Sequence, residues 1–422
     1  MTLEEVLARI GEAGTLDGLR PHWEESEASF PGQTPSFLLP SEFLVNREWC
    51  GLDPAIDPLL TETARRITEN PALTHLAWHC TRLLYEHLDY NDPPRWPSLE
   101  PVLGDSGGVL YLLVTMAMVP RVRAVHQSLG VPEEVTRETC SQVSSVAGVY
   151  RRMTGRLGIT LNTVYWMRHY IAGRLFRLGR FEYMLRPFGG SVEVYRHRES
   201  GAVIALAPEG VRFNGEGQVD GAGGVTDTEH GWTSTLARTD EAVVGYPVSP
   251  LGAAVRQEVH LPTAAWECVL NQGDTVMEMH IPAGGNMTPE RCADSNRRAA
   301  AFFREFFPGQ PAKGVVSISW IFNTQLEEIT LSSDNLVRYQ HELYLFPVPS
   351  SGHDGLWFIF LQNDLDPAAL PRDTSLRRGV ADFLAAGHIW RCGGMFILVE
   401  DLDRFGTRYY RSHWPPEGLG IA

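Results

Sequence analysis

This chain has almost no lysine: of its 36 basic residues among 422, Lys313 alone is one and the rest are arginine. It also lacks paired cysteines. Cys50, Cys80, Cys140, Cys268, Cys292 and Cys392 are scattered with no CxxC spacing, which in a chain this long reads as reduced thiols of a cytoplasmic protein. Positive charge is in short supply too. The 51 acids against 36 bases give a net charge of -15, a balance that repels nucleic acid and removes it as a partner. The longest apolar run, Val109 to Val119, falls short of the roughly 20 residues of a membrane span and reads as a buried helix. The first residues, Met1-Thr2-Leu3-Glu4-Glu5, carry no basic segment ahead of an apolar one, so no signal peptide is expected. No internal repeat or low-complexity tract is present. What is there, 43% hydrophobic and 21% charged residues, is the composition of a globular chain with room for two or three domains.

Up to about residue 157 the apolar residues recur at three- and four-residue spacing. Helices are predicted over Leu3 to Ala13, Pro58 to Glu69, Leu73 to Leu88, Val109 to Leu129 and Glu133 to Met153, with a further one over Leu161 to Gly173. From Arg174 the period changes to two. Val192 to Arg196 and Ala202 to Ala207 predict a hairpin, and Val255 to Leu261, His341 to Val348, Leu356 to Leu361 and Met395 to Glu400 predict later strands. A helix is expected over Ser375 to Gly387, and a glycine-rich loop over Asn214 to Gly224. Consecutive strands with few interposed helices imply an α+β fold: a helical domain over 1–157 and a mixed-sheet domain with flanking helices over 158–422.

Some motifs carry less than their letters suggest. Gly104-Asp105-Ser106-Gly107-Gly108 has the lettering of a serine-protease nucleophile loop, but it sits in a helical region with His79 close by in sequence, so a turn before a helix is the better reading. His75 and His79 share a helix face at a spacing that suits zinc, yet no second ligand cluster accompanies them and no metal centre is expected. Gly215-Glu216-Gly217 lacks the third glycine of a dinucleotide fingerprint.

The most informative stretch is Thr275 to Glu328. Thr275 to Ile281 alternates as a strand, with Met277, Met279 and Ile281 on one face and Val276, Glu278 and His280 on the other. It breaks at Pro282-Ala283-Gly284-Gly285-Asn286. Thr288-Pro289 then opens a helix to about Phe307, since Thr is a good N-cap and Pro suits the first helical position. A second apolar strand follows over Gly314 to Phe322. A carboxylate and an imidazole two residues apart on one strand face, beside a glycine turn at a helix start, could hold an acyl thioester and deprotonate an amine.

Three segments then share a likeness. Met277-Glu278-Met279-His280-Ile281-Pro282-Ala283-Gly284-Gly285, Ser317-Ile318-Ser319-Trp320 with Gln325-Leu326, and Asn335-Leu336-Val337-Arg338-Tyr339-Gln340 resemble a family of bacterial two-domain acyltransferases. These join a helical N-acyltransferase domain to a GNAT-like C-terminal domain, and some relatives attach fatty acyl chains to ribosomally made peptides. Arg174 to Phe181 is similar to the family's first strand.

The resemblance implies an enzyme with no permanently bound cofactor. Its donor is an acyl-phosphopantetheine, on an acyl carrier protein or as acyl-CoA, and its acceptor a peptide or small amine. The pantetheine arm lies between two splayed strands, here Val276 to Ile281 and Val315 to Ile321, along Met279, Ile281, Gly284, Gly285 and Ser317. Glu278, coupled to His280, is the implied base; backbone N–H groups near Met279 to Ile281 polarise the thioester carbonyl, and Ser319 or Tyr339 protonates the leaving thiolate. The superfamily's glycine pattern for a pyrophosphate is absent, and Glu290 at the helix start disfavours a phosphate, which points to a carrier-protein donor.

Arg151 to Arg198, with ten arginines and two acids, is a basic stretch in an acidic chain. Arg174, Arg177 and Arg180 are the expected dock for such a carrier; pairing of these arginines with the acidic helical domain is the competing account. The scarcity of lysine fits either a GC-rich genome or an enzyme that avoids acylating its own amines. An acetyl-CoA-dependent small-molecule enzyme and a non-catalytic binding relative are the alternative functions. Oligomeric state is left open.

Overall fold

A computed structural model describes residues 1–12, 16–331 and 334–421. The chain forms two compact units: Met1–Leu178 with Ile281–Gly284, and Gly179–His280 with Gly285–Ala422.

The first unit is helical. Leu3–Ile10 (α1) opens with a reciprocal cap, in which the Thr2 hydroxyl accepts the Glu5 N–H at 3.1 Å and the Glu5 carboxylate accepts the Thr2 N–H at 2.9 Å. The helix ends at Gly11 in a left-handed conformation, short of the predicted Ala13, which lies outside the described residues. Trp23–Ala28 (α2), Asp57–Glu69 (α3) and Pro71–Tyr85 (α4) follow. The helix predicted over Val109 to Leu129 is two helices, Gly107–Met116 (α5) and Val119–Ser128 (α6). Pro120 is the reason: it has no N–H to donate and its ring suits only a first turn. The stretch Glu100–Ser128 has a mean hydropathy of 1.7 and is long and apolar enough to cross a membrane, but 72% of its most apolar window is buried in the fold, and α5 supplies core on every side. Likewise Glu133 to Met153 divides at Ser141 into Glu133–Cys140 (α7) and Gln142–Thr154 (α8). Leu175–Leu178 (β1) ends this unit, its Arg177 N–H donating to Thr139 of α7 at 3.1 Å.

The second unit is built on a mixed sheet. Its strands Phe181–Pro187 (β2), Thr275–His280 (β6), Gly314–Ser319 (β7), Tyr344–Pro347 (β8) and Gly393–Leu398 (β9) run in the order β2-β6-β7-β9-β8. A second sheet contains Glu193–His197 (β3) and Val203–Leu206 (β4), the expected hairpin, with Trp266–Leu270 (β5) on the other side of β3. Pro289–Phe306 (α9) begins where Thr288 caps it, as its sequence predicts. Asn335–Gln340 (α10) follows.

One strand prediction fails: Leu356–Phe360 is a helix (α11). Gly355 enters it in a left-handed conformation, and Leu356, Ile359 and Phe360 recur at helical spacing to face Ser375–Ala385 (α12), with Trp390 and Val380 in the same core. Burial of side chains of this size contributes about 1.5–3 kcal/mol each. Five apolar residues in a row carry no period to distinguish strand from helix.

Candidate active site

β6 is held on one edge by β2 in antiparallel register from Thr275 opposite Pro187 to His280 opposite Glu182. On its other edge it meets β7 in parallel, but only at Met277–Val315 and Glu278–Val316. β7 itself stays paired with β9 as far as Ser319–Gly393. Each inner strand therefore follows its outer neighbour, and the two part company after Glu278. A cavity of about 440 Å³ opens at that split. It is lined by β2 (Arg186), the turn after it (Phe188), β6 (Glu278, Met279, His280), β7 (Ser317, Ile318) and β8 (Phe346).

Alternation puts the polar face of β6 into this cavity and Met277 and Met279 into the opposite core. The Glu278 carboxylate accepts from Arg186 at 3.2 Å and stands 4.0 Å from His280 Nε2. Burial lowers the His280 pKa below the usual imidazole value, with Arg186 acting in the same direction and Glu278 opposing. The imidazole is thus neutral at pH 7 and able to accept a proton. Glu182 is 1% exposed and lies directly across the β2–β6 ladder from His280. Ile318 is 59% exposed on a strand that is buried from Gly314 to Ser317, so an apolar side chain faces the open split. The cavity thus offers a neutral base, a carboxylate, unladdered backbone and an apolar wall, which suits holding a thioester while an amine loses its proton.

The predicted residues divide. Glu278, Met279, His280 and Ser317 are brought together at the cavity. Ser319 is not: its hydroxyl oxygen accepts the Ile321 N–H at 3.3 Å and caps the short turn Trp320–Phe322. Tyr339 is not there either. It is fully buried, its hydroxyl 3.7 Å from Met279 Sδ and 3.5 Å from Asn296 Nδ2, among the rings of Phe181, Phe322 and Phe405. Burial also pushes its pKa well above the usual phenol value.

The arginine dock needs correction. Arg174 is exposed, but Arg177 donates to Ser145 at 3.1 Å and Gln142 at 3.4 Å within the helical unit, and Arg180 is only 6% exposed. Others of that stretch are engaged locally: Arg156 with Glu100 and Asp105, Arg196 with Asp401, Arg198 with Glu267. Ile281 to Gly284 groups with the first unit, and Gly284 has open space where a Cβ would stand. At Gly285, φ is +74° and a Cβ would lie 3.8 Å from the side chains of both Arg180 and Arg291. Glu290, expected to disfavour a phosphate here, faces Arg338 at 3.8 Å.

Sequence reasoning missed Arg186, Glu182 and Phe346. The first two are visible only once β2 is aligned on β6; Phe346 reaches the cavity because β9 opposite it carries Gly394.

The family described as GNAT-like C-terminal domain matches residues 175–396, and that described as N-acyltransferase N-terminal domain matches residues 47–173. The chain belongs to the GNAT-like acyltransferases. It is an enzyme of α+β fold. A solved acyltransferase in complex with decanoyl-CoA and teicoplanin shares the fold of this GNAT-like chain, at a TM-score of 0.61 and 20% identity over 94% of this chain and 100% of that one. An acyltransferase in complex with decanoyl-CoA gives 0.56 and 19% over 94% and 99%. Among curated proteins, none matches the chain.

Proposed function

We propose that this acyltransferase moves a fatty acyl group from acyl-CoA to an amine on a peptide-based acceptor. The observation that carries the reading is the split between β6 and β7, with Glu278 and His280 on its wall. The amine arrives as an ammonium ion and loses a proton to the Glu278–His280 pair, directly or through water. Its nitrogen forms a bond to the thioester carbonyl carbon, backbone N–H groups of the split strand stabilise the oxyanion, and the C–S bond breaks to release the thiol, which takes up a proton.

Two observations favour coenzyme A over the carrier protein that the sequence suggests. Arg291 is exposed in the first turn of α9, beside Gly285, a setting suited to phosphate. Of the three arginines expected to steer a carrier, only Arg174 is exposed. The acyltransferases with the same fold were solved with decanoyl-CoA, and one with teicoplanin, which supports a long acyl chain and a glycopeptide acceptor.

The test compares kcat/KM for decanoyl-CoA, acetyl-CoA and a decanoyl carrier protein at low and high salt. The reading expects decanoyl-CoA to lead. A lead for the carrier donor that collapses with salt would return the donor to the carrier protein, since steering between exposed charges is screened beyond about 8 Å at physiological ionic strength. A lead for acetyl-CoA would favour a small-acyl enzyme.

A further inference from the structure

Beyond its polar side the cavity has an apolar one, and the cross-strand register shows what closes it. Ile318 on β7 lies opposite Gly394 on β9, and Gly394 lies opposite Phe346 on β8. Residues directly opposite across antiparallel strands share a sheet face. These three therefore form one row on the cavity face, and Ile318 and Phe346 both line the cavity. The middle member has no side chain. Two strand spacings of about 4.8 Å separate β7 from β8, so the row leaves a trough roughly 10 Å wide with Gly394 as its floor.

Phe346 fills that trough from the β8 side. A Cβ at Gly394 would run into Cδ2, Cε2 and Cζ of Phe346, so one edge of the ring lies directly over the glycine. The ring is 2% exposed, whereas Ile318 is exposed. Phe346 thus ends the trough, and Ile318 borders its open part. The next row back is fixed. Val316, Phe396 and Tyr344 stand opposite one another. The Phe396 and Tyr344 rings stack at 4.6 Å, and Phe346 stacks on Phe396 with centroids 6.4 Å apart. The Tyr344 hydroxyl accepts the Ala205 N–H of β4 at 3.0 Å and donates to the Val248 carbonyl. Rings pinned in this way do not move in to fill space beside them, so volume vacated at Phe346 stays open.

Polarity gives the trough a direction. Arg186, Glu278 and His280 lie at the β2–β6 side of the cavity, where Glu278 pairs with Val316. From there the lining turns apolar across the sheet, through Val316, Ile318 and Phe346. Three strand spacings put Phe346 about 14 Å from Glu278, far beyond the reach of an acetyl group. An apolar trough that starts at a proton acceptor and crosses the strands suits an extended hydrocarbon tail, whose burial is favourable in proportion to its length.

We infer that Phe346, seated on Gly394, is the stop that sets acyl chain length, with the tail running from the β6–β7 split past Ile318. The inference rests on the fatty acyl transfer proposed above and adds to it a specificity-determining residue. A smaller side chain at position 346 lengthens the trough. A side chain at position 394 lifts the ring toward Ile318 and shortens it.

The test measures kcat/KM for a series of saturated acyl-CoA donors from acetyl to palmitoyl. We expect the parent protein to rise with chain length to an optimum and to fall beyond it. Phe346→Ala and the milder Phe346→Leu should move the optimum to longer donors, each newly buried methylene adding about 4-fold. Gly394→Ala should move it to shorter ones. Ile318→Ser should flatten the rise and leave the optimum in place. Phe358→Ala, at an exposed ring of α11 outside the cavity lining, should keep the parent profile. Dissociation constants of the matching nonhydrolysable acyl-CoA thioethers should shift their optimum in the same directions. An unmoved optimum in both Phe346 variants with circular dichroism like the parent's, or a shift to longer donors in Gly394→Ala, would overturn the inference. A parent protein that turns over no acyl-CoA would defeat the transfer reading instead, and the thioether series would still decide whether Phe346 sets the length.

Discussion

At the scale of the residue, the chemistry rests on how burial and neighbours treat a few side chains. Glu278→Gln and His280→Ala are each expected to lower turnover about 100-fold or more, the range for loss of general acid–base catalysis. Steady-state kinetics on variants whose circular dichroism is unchanged will check this, and parent-like rates would remove the pair from the reaction. Because burial lowers the His280 pKa, the acid limb of kcat/KM should fall below the ordinary imidazole value of about 6.5. Burial acts more strongly on two core histidines. The pKa of His79 and of His126 is lowered to about 4, and both are neutral at pH 7. The unfolded chain takes up these protons below about pH 6.5, whereas the folded chain does so only near 4. Stability is therefore full above pH 6.5 and declines from there to pH 4, by about 3 kcal/mol per histidine. Urea unfolding across that window should show the decline, and His79→Gln or His126→Gln should flatten it. A flat profile in the parent protein would contradict the assignment.

At the scale of the element, the site depends on which strands leave each other. Phe346 reaches the cavity wall because Gly394 opposite it carries no side chain; a Cβ there would overlap the Phe346 ring. Gly394→Ala should cost about 1–3 kcal/mol, the usual price of overpacking, and should raise KM for the donor, since Phe346 lines the pocket. A denaturation curve and KM unchanged from the parent would show that the ring gives way freely.

This scale also separates what the sequence discloses from what it hides. Thr288-Pro289 announces α9 through a cap and a first-turn proline, and the alternation in Thr275 to His280 places Glu278 and His280 on one face. Those signals are local. Arg186 and Glu182 join the site only through the register of β2 on β6, a contact across some ninety residues that no local pattern encodes. The helix at Leu356–Phe360 was illegible for another reason: an all-apolar run has no period, and α12 decides its form. Tyr339 was misplaced because a motif fixes neighbours along the chain but not the side of the sheet on which a helix packs.

At the scale of the whole molecule, the candidate chemistry lies in the sheet unit, and the serine motif of the helical unit does not form a nucleophile site. Ser106 lies in the short turn Gly104–Ser106 before α5, and both His79 nitrogens are engaged elsewhere. Ser106→Ala should keep full activity, and a fluorophosphonate should leave Ser106 unlabelled by peptide mass spectrometry. The central claim is that an acyl group passes from coenzyme A to an amine at the β6–β7 split. The most direct measurement incubates the parent protein, and separately Glu278→Gln and His280→Ala, with decanoyl-CoA and a glycopeptide amine, and follows product by intact mass together with free thiol release. The account predicts an amide product and one thiol released per acyl transferred, both suppressed in the two variants. Thiol release without an amide, or an amide formed equally well by all three proteins, would contradict it.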